Sequence, residues 1–162
     1  MPEYRWYDGT TARHVPGQRY DGPGPVPMNE PQGRPHDPAA RIWPFKVHRG
    51  IQPFDAKHHH LLVPHTYGPG GYWSTYDWEK ALVTGAKASG IPYSGERTWI
   101  STEMWWPQNH MVPTKAKALR CTDCHGDRGR MDWKALGYPG DPSLVGGRGQ
   151  TGLVEGRPGG AR

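Results

Sequence analysis

Glycine and proline punctuate this chain so densely that long regular elements have little room to form. Of its 162 residues, 23 are Gly and 18 are Pro, a quarter of the whole. Proline fixes φ and removes a backbone donor, while glycine is the residue most costly to order, so helices should be short and strands few. Composition this rich in both residues approaches that of disordered sequence. Eight Trp and eight Tyr point the other way, because disordered chains are poor in aromatics. The expected fold class is therefore mainly α with extensive irregular Pro/Gly-rich loops and few or no strands, in which flat rings pack against a partner surface or a planar cofactor.

Residues 1–40 carry clustered turn signals, Asp21-Gly22-Pro23-Gly24-Pro25 and Gly33-Arg34-Pro35, and read as an extended arm whose Tyr4, Trp6, Tyr7 and Tyr20 lie on a partner or cofactor surface. Residues 41–141 form the central region. Its short apolar runs Ile42–Val47 and Leu61–Pro64 are broken by proline, which argues for loops or edge strands. A helix is expected near 77–89. Asp77 serves as N-cap, the apolar stripe is Trp78, Ala81, Leu82, Gly85 and Ala86, and Gly90 stops it ahead of Pro92. A second is expected near 114–125 after Pro113, with Thr114 as N-cap. Residues 142–162 read as a flexible Gly/Arg-rich tail.

The formal charge of +5 is scattered, with no basic block of the kind that binds nucleic acid. No apolar run approaches the ~18 residues of a membrane span, and the N-terminus lacks the basic and apolar regions of an export signal.

One motif carries chemistry. Cys121-Thr122-Asp123-Cys124-His125 fits the C-x-x-C-H pattern of haem c attachment. Two thiols three positions apart reach the two vinyl groups of one porphyrin edge, and the next imidazole falls under the iron as proximal ligand. A structural zinc site would need four ligands, and there is no second Cys pair, although histidines remain. A thioredoxin-like dithiol would sit at the start of a helix following a strand, and a plain disulfide across so short a ring stabilises little.

A haem here needs a tenant for its sixth position. Met131 lies only six residues beyond His125, too close to wrap round the ring. His48, His65 and His110 are each flanked by apolar or aromatic residues and are the candidate distal ligands, for this haem or a neighbouring one. In His58-His59-His60 three adjacent imidazoles cannot all face one ion, so an exposed loop is expected first and weak metal scavenging second. His14 and His36 lie in the arm without supporting context.

Ala40 through His48, Leu62-Val63-Pro64-His65, Gly71-Tyr72-Trp73, Gly90 through Gly95, Thr102-Glu103-Met104, His110 through Pro113 and Cys121 through Gly140 resemble the C-terminal part of the octahaem tetrathionate reductase family of c-type cytochromes. The resemblance runs from about Tyr4 to Asp141. It implies a fragment of a multihaem cytochrome, periplasmic or otherwise extracytoplasmic. Its family reduces tetrathionate, nitrite or hydroxylamine at a lysine-ligated haem and wires the remaining haems through paired histidines. By the same resemblance His48, His65 and His110 serve haems of the array. This chain has one attachment motif where the family has eight, and it lacks the segment bearing the lysine-ligated haem. The expectation is thus an electron-transfer chain with one covalent haem c, itself not catalytic. Its partners would be other multihaem cytochrome chains or redox proteins, in a homo- or hetero-oligomer. The alternatives are a reductase haem with an open sixth position, a zinc-stabilised binding module and a vestigial fragment.

Overall fold

The computed structural model describes residues 2–109 and 113–149, and it overturns the expectation of a mainly α chain with few strands. Among the described residues there are six strands: β1 (Glu3–Tyr7), β2 (Thr11–Arg13), β3 (Val26–Pro31), β4 (Arg41–Asp55), β5 (His60–Leu61) and β6 (Arg97–Pro107). The sheet order is β1-β4-β6-β3-β2, with β5 paired to β4. Helices are α1 (Tyr72–Thr75), α2 (Trp78–Ser89), α3 (Cys121–Cys124) and α4 (Pro142–Val145), and of these only α2 exceeds about one turn.

Two prolines are built into the longest strand. Pro44 and Pro53 both lie inside the 15-residue β4. Proline deletes a donor but keeps its carbonyl, and both carbonyls are used: Pro44 accepts from the Gln108 N–H at 2.9 Å and Pro53 from the Leu62 N–H at 2.9 Å. A strand can therefore carry proline wherever the missing N–H has no partner to serve. The segment expected as an arm, 1–40, supplies β1, β2 and β3. The expected helix over 114–125 is instead a 3₁₀ turn at Lys115–Lys117 followed by α3.

The chain divides into two units, with β4 and β6 contributing residues to each. The described residues of the first are 2–12, 31–47, 105–109 and 113–149. Here β1 runs antiparallel to the start of β4, from Glu3 opposite Phe45 to Tyr7 opposite Arg41. Trp6, Ala40, Leu136 and Tyr138 form its buried core, with Tyr4, Ile42, Met131 and Trp133 packed around them. The Trp6 indole stacks on Tyr138 and donates to the Leu136 carbonyl at 2.8 Å. That bond meets the polar requirement of a buried indole. Arg148 lies over the same indole, its guanidinium 4.5 Å from the Trp6 ring centre, and donates to the carbonyls of Pro35, Asp37 and Ala40.

The second unit comprises residues 13–30 and 48–104. In it β3 lies parallel to β6, with a register irregularity between Pro27 and Asn29. Val26, Phe54 and Leu61 make its core. Asp77 caps α2 by accepting the Lys80 N–H, and Gly90 ends it at φ +73°. The inner face of α2 meets the chain after β5, where the His65 N–H reaches the Ala81 carbonyl at 2.9 Å.

Asp55, at the end of β4, is fully buried. Burial alone would raise its carboxyl, but donors from the Ser94 N–H and hydroxyl and from the Lys57 and His58 N–H groups outweigh that and hold it well below the carboxylate range. Because the folded value is depressed, this stabilisation is complete above about pH 4 and is lost as pH falls further. The thermal midpoint is expected to drop between pH 5 and pH 2.5, and the Asp55→Asn variant should show a flatter profile. Parallel profiles for the two proteins would rule the assignment out.

Candidate functional site

The C-x-x-C-H residues occupy one turn of helix and its exit. Arg120 precedes α3, and its N–H donates to the Asp123 carboxylate at 2.7 Å, which closes the first turn from within the motif. The turn carries Cys121, exposed, and Cys124, half-buried, both as free thiols. One helical turn places residues three apart on the same side, so both sulfurs and the following imidazole share one edge. Beyond His125 the chain reverses at Gly126, φ +83°. It then returns so closely that a Cβ on Gly129 would stand 2.5 Å from the Cys124 carbonyl oxygen. Arg130 completes the loop, donating from both N and Nε to the Asp123 carbonyl at 3.0 and 3.2 Å.

His125 is held from two sides. Its Nδ1 lies 2.6 Å from Asp141 Oδ1, and its ring stacks on Trp133 at 5.0 Å between centres, 18° from parallel. Asp141 also accepts the Gly126 N–H at 2.7 Å and the Ser143 N–H and hydroxyl at 2.9 and 2.8 Å. Desolvation would raise the Asp141 carboxyl; the bonds from Gly126, His125 and Ser143 outweigh it and keep it ionised far below its usual range. An anionic acceptor on Nδ1 fixes the proton there and leaves the Nε2 lone pair for a metal, the arrangement typical of metal-bound histidine. Trp133 in turn meets Tyr138 edge-on, so the imidazole is braced by the core around Trp6.

These residues fit a covalently attached haem. Two free thiols stand on one turn, the adjacent imidazole presents Nε2, and the Trp133 Nε1 is buried with no acceptor. Asp141 and the bracing role of Trp133 are what the motif alone does not announce. Asp141 lies 16 residues beyond His125, and the only local signal is its position ahead of Pro142-Ser143, where an Asp caps α4.

The remaining histidines separate. His48 lies on β4 and is exposed; His65 follows β5 and is half-buried. Both belong to the second unit, whereas His125 belongs to the first. His110 lies outside the described residues. The run at 58–60 departs from an exposed loop: His60 is only 4% exposed, and His58 and His59 are half-buried. Among the described residues no helix is long and apolar enough to cross a membrane.

A family model described as "Cytochrome c bacterial" matches residues 1–128, which include the whole motif. Among solved structures, the chain is similar to the octaheme cytochrome c from Shewanella oneidensis, at 45% sequence identity and a TM-score of 0.82. The match covers 88% of this chain and 34% of that one, so this chain spans about a third of that protein's length. No curated protein matches.

Proposed function

Because the chain belongs to the bacterial cytochrome c family and to its multihaem members, we propose that it carries one haem c on Cys121, Cys124 and His125 and passes electrons within a larger multihaem reductase. The observation that carries this reading is the His125–Asp141 pair beside two free thiols on a single helical turn. The haem supplies an iron that cycles between ferric and ferrous. The chain's own residues do the rest. Cys121 and Cys124 would hold the ring edge through thioethers, His125 would offer Nε2, and Asp141 orients the imidazole. Trp133 excludes water from one face of it.

His48, His65 and His110 are proposed as distal ligands, for this haem or for haems on partner chains, in keeping with low-potential electron transfer rather than substrate binding. The partners are other multihaem cytochrome chains, and the assembly's substrates are sulfur or nitrogen oxyanions such as tetrathionate, nitrite or hydroxylamine. The compartment is the periplasm or another extracytoplasmic space, where haem c is attached.

The test is an absorption spectrum with pyridine haemochrome on chain produced in a host that matures c-type cytochromes. About one covalent haem per chain with a low-spin ferric spectrum is the expected result. A high-spin spectrum would replace the wire with an open, substrate-binding site, and no haem would end the redox reading. A second expectation concerns Asp141. Replacing it with Asn weakens electron donation through the imidazole, so the midpoint potential should rise by on the order of 60 mV, a tenfold change in a one-electron equilibrium. An unchanged potential in a correctly haem-loaded variant would remove Asp141 from the tuning role.

A further inference from the structure

The hairpin joining β4 to β5 gathers side chains that the electron-transfer reading does not use. Asp55 and His60 face each other in the antiparallel register, and the turn between them folds His58 back over the same side. Asp55, His58 and His60 each offer one ligand atom, and these atoms lie within 4.8 Å of one another. The His58 and His60 rings are parallel within 3°, 5.7 Å apart.

The free valences at this cluster are specific. His60 uses Nδ1 on the Leu61 carbonyl at 3.1 Å, and its Nε2 is buried with no hydrogen-bond partner. His58 Nδ1 is also buried, 3.4 Å from Asp55 Oδ2, without making a hydrogen bond to it. On Asp55, Oδ1 accepts three donors, from Lys57, His58 and the Ser94 hydroxyl, whereas Oδ2 accepts only the Ser94 N–H. Each carboxylate oxygen has about two lone-pair sites, so Oδ2, which accepts one donor, keeps one free on the His58 side. Orphaned buried nitrogens are costly, and a buried carboxylate held by neutral donors alone lacks a countercharge. One small cation would answer all three deficits.

We infer that Asp55, His58 and His60 form a binding site for a divalent first-row transition metal, with zinc the natural probe. Two imidazoles and one carboxylate suit zinc and its neighbours, whereas calcium and magnesium prefer oxygen donors throughout. Bonds of about 2.0–2.1 Å need only a modest closing of the present spacing, and the ring of His60 moves least because Leu61 already anchors it. All three residues belong to the second unit, and none is part of the C-x-x-C-H motif. His59 takes no part, since its Nδ1 lies 2.5 Å from Asp21 Oδ1.

His59 therefore serves as the control within the run. Haem-loaded full chain, in which Cys121 and Cys124 are consumed as thioethers, is stripped with chelator, and zinc binding is measured by equilibrium dialysis with metal analysis. The expected result is one zinc per chain. His58→Ala and His60→Gln should each weaken binding at least tenfold, while His59→Ala leaves it unchanged. Zinc should also raise the thermal midpoint of the unaltered chain and not of His58→Ala, the variant least able to disturb folding because His58 is half-exposed. No zinc bound, or an equal loss for His59→Ala and His58→Ala, would overturn the site and leave only scavenging by a histidine run.

Discussion

A chain in which Cys121 and Cys124 are both replaced by serine is expected to leave a maturation-competent host without haem, falling from about one haem per chain to essentially none. The argument rests on how little else would hold the ring. The motif occupies a single turn on which Cys121 is exposed, and the His125 side chain is 32% exposed. A ring seated on such a surface buries much less of itself than a small molecule enclosed in a cleft, which hides 70–90%. One imidazole–iron bond would then have to retain the cofactor unaided. Acid–acetone extraction followed by haem quantitation decides it, because only thioether-linked haem stays with the protein. The single variants should each retain haem through one thioether, with a shifted α-band. Retention of full haem by the double variant would mean that the attachment lies elsewhere.

The second large effect is structural and belongs to α2. A Cβ placed on Gly85 would stand 1.8 Å from the Val63 carbonyl oxygen and 2.9 Å from the His65 nitrogen. Both are backbone atoms, so no side chain can swing aside. Alanine would favour the helix by about 1 kcal/mol through propensity. Forcing the helix off the Val63–His65 segment should cost about 3 kcal/mol and would stretch the bond from the His65 N–H to the Ala81 carbonyl. The net loss for Gly85→Ala is about 2 kcal/mol, or roughly 4–8 °C in the thermal midpoint for a chain of this size. A midpoint equal to or above that of the unaltered chain would show that α2 is not seated as closely as its glycine implies.

What could be read from the residues depends on how far apart the cooperating groups lie. The family was legible, because its signals are consecutive: the C-x-x-C-H run and the block from Ala40 to His48 need no knowledge of the fold. The sheet was not. Pro44 and Pro53 count against a strand when only the lost donor is considered, and nothing local announces that Gln108 and Leu62 will come to their carbonyls. The same blindness applies to the histidine run. Taken as a run, it suggests an exposed loop, but the pairing of Asp55 with His60 buries one imidazole and turns another toward the same carboxylate. Asp141 is a third case, since its partner is 16 residues away and the connection is made by the turn at Gly126 and the core beneath Trp133.

The bond from the Trp6 indole to the Leu136 carbonyl joins residues 130 positions apart. Closing so long a loop is slow relative to local structure, since its entropy must be lost before any of its contacts form. During synthesis β1 has no native core to enter until the segment beyond the haem motif has been made. The two ends of the first unit's core therefore come together late, after the chain between them is complete.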